Sequence, residues 1–187
     1  GSIGLPLPGT QLRTVSLIDG KTPVPAGERG ELCVRGPQVM KGYWNRPDET
    51  DKVLIDGWLH TGDIAVLDAD GYVYIVDRLK DMIITNGYNV YPRNVEEAVY
   101  MNPSVDECIV AGIPDPARGE AVKIWLRLKP GRRMTAEDLR EFLTDKLSPM
   151  EIPRHIEFRD KPLPRTLIGK LSRKDILAEE TSGKSEE

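Results

Sequence analysis

Residues 57–87, GWLHTGDIAVLDADGYVYIVDRLKDMIITNG, decide how this chain is read. The turn Asp68-Ala69-Asp70-Gly71 joins Ile64–Leu67 to Tyr72–Asp77 as a β-hairpin. One hairpin therefore separates an acidic turn, Thr61-Gly62-Asp63, from a polar junction led by arginine, Asp77-Arg78-Leu79-Lys80-Asp81. A carboxylate and a guanidinium at the ends of neighbouring strands can converge on one polyhydroxy ligand, as an acidic residue grips the ribose in dinucleotide folds. Taken alone, Gly-Asp is an ordinary solvated turn. Trp58 and His60 before it, and Arg78 one hairpin later, favour a site. Far downstream, Pro164-Arg165-Thr166-Leu167-Ile168-Gly169-Lys170 presents Lys170 on a loop punctuated by proline and glycine. Together these segments suggest a nucleotide site whose parts lie on two bodies.

Working outward, the chain up to residue 78 reads as short strands broken by Gly and Pro. Leu12–Ile18 runs into the turn Asp19-Gly20. Gly30–Gly36 places Leu32 and Val34 inward and Glu31 and Arg35 outward, with Cys33 between them. Strands at this spacing predict a small antiparallel barrel or sandwich. After Lys80 the texture changes. Pro92 opens a helix with Val95, Ala98 and Val99 on one face, and Asn102-Pro103 ends it. Glu107–Ile113 reads as a strand. Ala121–Lys129 alternates Val122, Ile124, Leu126 and Leu128 against Lys123, Trp125, Arg127 and Lys129. Thr135 is placed to cap a second helix with Asp138 three residues on. His155–Arg159 is a further strand and Leu171–Ala178 a final helix.

The expected fold class is mixed: a small antiparallel β-barrel subdomain over residues 1–78, then an α+β domain over 79–179 with helices on one face of a small sheet. Residues 180–187 read as a polar, disordered tail. The junction Arg78–Asp81 contains neither Gly nor Pro, so it is a short connection that can still act as a hinge.

The chain has 187 residues, a net charge of −4 and 30% charged residues, which argues against a general nucleic-acid binder. No apolar run approaches a membrane span and the start lacks a leader layout, so a cytoplasmic location is expected. Cys33 and Cys108 form no CxxC and read as reduced structural thiols. His60 and His155 are the only histidines, without clustered ligand spacing, so no metal is expected to bind this chain directly. Asp68 and Asp70 lack the register of a calcium loop, which leaves turn chemistry. Gly169-Lys170 is not a phosphate-binding loop, because Pro164 stands at the first glycine and Leu171 at the Ser/Thr position. Arg165, Lys170, Arg173 and Lys174 can also be read as plain solvated cations. Gly87 admits either a turn needing positive φ or a close backbone approach to a slender ligand.

From Gly4 to about Leu177 the chain resembles the C-terminal third of an adenylate-forming ligase, the superfamily of acyl-CoA synthetases, peptide-synthetase adenylation domains and luciferase. The likeness is carried by Gly30-Glu31-Leu32-Cys33-Val34-Arg35-Gly36 with Gly42-Tyr43, Trp58…Thr61-Gly62-Asp63, and Asp77-Arg78-Leu79-Lys80-Asp81. It continues through Asn86-Gly87-Tyr88-Asn89-Val90-Tyr91-Pro92, Gly112…Pro114-Asp115…Gly119-Glu120 and Pro164–Lys170. In this order and spacing they are specific. The resemblance implies that Asp63 accepts hydrogen bonds from the ribose hydroxyls of ATP or AMP and that Arg78 helps hold that sugar. Lys80 matches the hinge, Gly87 the glycine of the CoA pantetheine channel, and Lys170 the lysine that meets the carboxylate and α-phosphate during adenylation. The substrates implied are ATP with Mg2+, CoA and a carboxylic acid.

The segment Met82–Pro92 looks most like bacterial medium- or long-chain fatty acyl-CoA synthetases. Ile84 stands where luciferase-like members carry a lysine, which disfavours that branch. The phosphate loop, adenine contacts and acyl pocket belong to an N-terminal domain this chain lacks, so a fragment inactive in adenylation is expected. Two alternatives stand beside the fatty acyl-CoA ligase: a ligase for aryl or other carboxylates, and a non-catalytic interaction module using Trp125.

Overall fold

The structure is a computed structural model that describes residues 1–183. It divides into two compact units, Gly1–Lys80 and the residues from Asp81 onward. The division falls two residues beyond the expected one.

The first unit is an antiparallel sheet built around one long strand. β1 (Gln11–Val15) pairs with β2 (Arg29–Arg35), and β2 with β4 (Trp58–Leu67). The other edge of β4 is shared. β3 (Leu54–Ile55) takes its beginning and β5 (Val73–Arg78) its end. This layout curls the sheet into a half-barrel around Leu32, Ala65 and Val73, with Leu12, Val34, Leu67 and Ile75 packed on them. The expected β4–β5 hairpin is present: Asp68 Oδ1 accepts the amides of Asp70 and Tyr72, the local turn chemistry that aspartate supplies. One helix went unanticipated. α1 (Pro47–Val53) starts with proline in its first turn followed by Asp48 and Glu49, but buries no residue, so it lacks the apolar period that betrays a packed helix.

Two readings of this unit need correction. Glu31 does not face outward. It is buried at 7% exposure beside fully buried Cys33, because this part of β2 is covered on both faces. Thr61-Gly62-Asp63 is not a turn between strands but an irregularity inside β4. Glu31 pairs with Ile64 and Cys33 with His60, so three residues of β4 oppose Leu32 alone.

The second unit is a five-stranded sheet centred on β9 (Gly119–Leu128). β8 (Val105–Asp115) runs antiparallel along it, β10 (His155–Phe158) lies parallel on its other side, and β6 (Ile83–Thr85) meets its start at Thr85–Gly119. β6 forms a hairpin with β7 (Tyr88–Val90). α2 (Pro92–Tyr100) and α3 (Ala136–Leu143) fill one face. Val95, Ala98, Val99, Leu139 and Leu143 pack there on Val110, Val122, Ile124 and Leu126. α3 carries the expected capping box: Asp138 N–H donates to Thr135 Oγ1 at 3.1 Å and Thr135 N–H to Asp138 Oδ2 at 2.8 Å.

The helices do not keep to one face of this sheet. Ile176 of α4 (Arg173–Gly183) packs on the opposite side with Leu163, Ile109, Ala111 and Trp125. Trp125, which alternation places on the polar face of its strand, is thus packed, with its side chain 0% exposed. Its neighbour Lys123 reaches Glu157 at 2.9 Å and Glu180 at 2.5 Å, so the polar-looking face of β9 is a second core roofed by an ion-paired lysine. α4 also runs to Gly183, so residues 180–183, expected to be disordered, are helical. The remainder of that tail, 184–187, lies outside the described residues. No described helix is long and apolar enough to cross a membrane.

Trp125→Ala is expected to lower unfolding free energy by about 3–5 kcal/mol, as for other buried aromatics. Thr135→Ala, which removes one half of the capping box, is expected to lower it by about 1 kcal/mol. Urea denaturation measures both. A Trp125→Ala midpoint equal to wild type would contradict the second core.

Candidate functional site

The irregularity in β4 positions the acidic residue. A β-bulge leaves backbone groups without ladder partners and re-aims the side chains that follow. Gly62 supplies the left-handed conformation at its centre, with φ +71°. The amides are satisfied from nearby side chains. Gly62 N–H donates to Glu31 Oε1 at 3.1 Å and Asp63 N–H to Thr61 Oγ1 at 3.1 Å, while the Thr61 hydroxyl donates to Leu32 O at 2.8 Å.

Asp63 then pairs in register with Arg78 across β4–β5. Arg78 Nε lies 3.6 Å from Asp63 Oδ1, with side-chain exposures of 63% and 36%. Such an open pair contributes little to stability, about 0–1 kcal/mol. Its oxygens and guanidinium donors remain available to a ligand. Thr61, Gly62, Asp63, Arg78, Leu79 and Lys80 line one cavity of about 510 Å³, within the size range of small-molecule sites. Lys80 sits in a 3₁₀ turn, Leu79–Asp81, where the first unit ends. The structure thus brings Asp63, Arg78 and Lys80 to one cleft.

Beneath the bulge lies a group that sequence reading missed. Glu31, Cys33 and His60 are buried with their polar atoms within 4.8 Å of one another. His60 Nδ1 is 2.8 Å from Glu31 Oε2 and 3.6 Å from Cys33 Sγ. A carboxylate oxygen only accepts, so Nδ1 carries the hydrogen. Metal-ligand spacing cannot reveal this trio, since residues 33 and 60 meet through strand register. Burial, then the Glu31 charge, pushes the Cys33 thiol up to about 11, and burial followed by Glu96 pushes Cys108 up to about 12. Neither is a thiolate near neutral pH, which suits structural thiols.

In the second unit, Lys170 stands on a tight hairpin. Arg165 bridges to Leu171, Thr166 N–H donates to Lys170 O at 2.7 Å, and Gly169 N–H donates to Thr166 O at 2.8 Å. Two anchors hold the hairpin. On one side Arg165 donates to Gly169 O at 2.6 Å and to Glu107 Oε1 at 2.5 Å, while Leu163 N–H donates to Glu107 Oε2 at 2.9 Å. On the other, Arg173 donates to Glu96 Oε2 at 2.6 Å and to Val110 O at 3.0 Å, and lies 3.4 Å from Asp81 Oδ2. Burial alone raises the Glu107 carboxyl, but the Leu163 amide, Arg165 and Arg127 outweigh it and hold it below the usual range. Its contribution to stability is therefore full above the ordinary carboxylate pKa and lost as pH falls through the depressed value.

This network divides the downstream cations. Arg165 and Arg173 are braces, whereas the exposed Lys170 side chain makes no hydrogen bond or ion pair among the described residues. Sequence reading grouped them because their partners lie 58 and 77 positions away. Gly87 shares a two-residue hairpin turn with Asn86, at φ +79° and +51°. This pair of positive angles belongs to the turns that suit right-twisted strands. A Cβ on Gly87 would meet nothing within 4 Å, so the backbone angle demands glycine there while its flank stays open.

Comparison with known proteins agrees with this arrangement. The AMP-binding enzyme model matches residues 1–44 and the AMP-binding enzyme C-terminal domain model residues 94–170. A long-chain-fatty-acid–CoA ligase of Bacillus subtilis is 50% identical over 97% of this chain and 32% of its own length. A feruloyl-CoA synthase of an Amycolatopsis species is 45% identical over 94% of the chain and 35% of its own length. Among solved structures, ATP-bound MatB from Rhodopseudomonas palustris superimposes with TM-score 0.88 at 34% identity, over 96% of this chain and 35% of that one. The chain thus spans about a third of the length of the curated relatives it matches. Motif order, two-unit fold and sequence identity agree: the chain belongs to the AMP-binding, adenylate-forming enzyme family and matches the C-terminal third of its curated relatives.

Proposed function

We propose that the whole polypeptide is an AMP-forming acid–thiol ligase that activates a medium- or long-chain fatty acid and transfers it to CoA. The observation that carries this reading is the open Asp63–Arg78 pair, held at one cleft beside Lys80 by a glycine bulge. A carboxylate flanked by a guanidinium matches the vicinal hydroxyls of a ribose, with Asp63 accepting from both and Arg78 steadying the sugar. The fatty-acid assignment follows the 50% identity to the B. subtilis ligase.

In the first half-reaction the substrate carboxylate attacks the α-phosphorus of MgATP, and pyrophosphate leaves. Two anions must approach, and a positioned cation stabilises the charge that builds between them. Lys170 suits that role, as an exposed ammonium on a hairpin whose neighbouring arginines are already engaged. In the second half-reaction the CoA thiol displaces AMP from the acyl-adenylate. Lys80 then serves as the pivot that exchanges Lys170 for Gly87 at the reaction centre, with the open flank of Gly87 lying along the slender pantetheine arm. Among the described residues that line the cleft Asp63 is the one carboxylate, and it is assigned to the sugar, which leaves Mg2+ to arrive with the phosphates as part of the substrate. The remaining substrate contacts belong to the N-terminal domain, and the enzyme is cytoplasmic.

A second reading, a ligase for aryl acids, is favoured by the 45% identity to feruloyl-CoA synthase. The third reading, a non-catalytic interaction module, cannot use Trp125 as its contact, because that side chain is fully buried.

In the full-length polypeptide, Lys170→Ala is expected to slow carboxylate-dependent ATP–pyrophosphate exchange by about 10²–10³-fold, the loss typical of one preorganised electrostatic donor. Thioester formation from preformed acyl-AMP should stay within a few-fold of wild type. Equal loss of both half-reactions would contradict the assignment of Lys170 to adenylation. The 187-residue chain alone is expected to show no exchange, and measurable exchange by it would overturn the assignment of acid and phosphate contacts to an N-terminal domain.

A further inference from the structure

Glu31 is a buried carboxylate outside the residues that line the Asp63 cleft, yet it is bonded directly to the loop that shapes it. Its two oxygens have separate duties. Oε1 accepts the Gly62 amide at 3.1 Å, and Oε2 receives His60 Nδ1–H at 2.8 Å. Residues 61–63 have no Cα partner on β2, so the Gly62 amide relies on this side chain. An amide with no acceptor in such a place costs roughly 1–3 kcal/mol, and Gly62 is the residue whose positive φ turns Asp63 toward Arg78. His60 holds the far oxygen in line, fixing the carboxylate plane from below. A residue needed for packing alone would be apolar here, since burying a charge is unfavourable unless its hydrogen bonds are used.

We propose that Glu31 is a positioning residue for the nucleotide sugar, with His60 as its brace. It sets the bulge so that the Asp63 carboxylate meets both vicinal hydroxyls, and through that it sets the preference for ribo- over deoxyribonucleotides. The inference rests on the assignment of Asp63 to the ribose and adds the residue that determines how strictly the hydroxyls are read.

The test compares kcat/KM of the full-length polypeptide for ATP and for 2′-deoxy-ATP, in wild type and in Glu31→Ala, Glu31→Asp and Glu31→Gln, with thermal denaturation of each. Wild type should prefer ATP by tenfold or more. Glu31→Ala should shrink that preference about tenfold, the effect of one charge-assisted hydrogen bond, and the change should fall in KM for ATP with kcat little altered. Glu31→Asp, which keeps the charge but falls short of the Gly62 amide, should behave alike and serves if the alanine variant does not fold. Glu31→Gln retains an acceptor for that amide and should keep most of the preference. Unchanged discrimination in a folded alanine or aspartate variant would overturn the role of Glu31, as would a glutamine variant as impaired as alanine. A wild type indifferent to the 2′-hydroxyl would instead overturn the prior assignment of Asp63 to the sugar.

Discussion

The break in register between β2 and β4 is the constraint on which the first unit's chemistry depends. Three residues of β4 stand opposite one residue of β2, so the chain must absorb excess backbone without losing the hydrogen bonds of the sheet. It does so with a glycine in the left-handed region and with acceptors from Thr61 and Glu31. In consequence Asp63 leaves the regular alternation of its strand and lies across from Arg78, at the end of β5 and next to Lys80. An unbroken ladder would carry the same residues with a different side-chain direction at Asp63.

The second unit leaves the Lys170 ammonium without a partner among the described residues while the arginines beside it are engaged. It uses buried or half-buried carboxylates as anchors. Glu107 takes Arg165 and the Leu163 amide, and Glu96 takes Arg173. These pairs differ in kind from Asp63–Arg78. Their carboxylates are only 8% and 17% exposed, so removing an arginine leaves a mostly buried charge unpaired, whereas the exposed pair contributes at most about 1 kcal/mol. Rigidity is concentrated on either side of Lys170, while the lysine and the tip residues Leu167 and Ile168 stay exposed. The same sheet hides a second core behind what reads as a polar strand face, because Lys123 spreads over Trp125, 4.7 Å from the ring centroid, and pairs with Glu157 and Glu180.

Local chemistry was legible in the sequence. The hairpin around Asp68, the capping box at Thr135, the proline-led helix at Pro92 and the approach of Arg78 to Asp63 across one hairpin follow from turn residues, caps and strand order. What escaped was decided by partners distant in the chain. Alternation put Glu31 outward, but β2 is covered on both faces at that point. What covers Trp125 was not legible in its strand, because the cover comes from Leu163 and Ile176, far along the chain. Thr61-Gly62-Asp63 reads as a turn because glycine beside aspartate marks turns and bulges alike; only the pairing with β2 separates them. Arg165 and Arg173 resembled free surface charge until their carboxylates folded against them.

We propose that Asp63 and Arg78 form the sugar-binding half of a nucleotide site, and a crystal structure of the full-length polypeptide with AMP bound decides it. Both ribose hydroxyls are expected within hydrogen-bond distance of the Asp63 carboxylate, with the Arg78 guanidinium beside the sugar. A nucleotide whose ribose lies away from Asp63, with that carboxylate left to solvent, would contradict it.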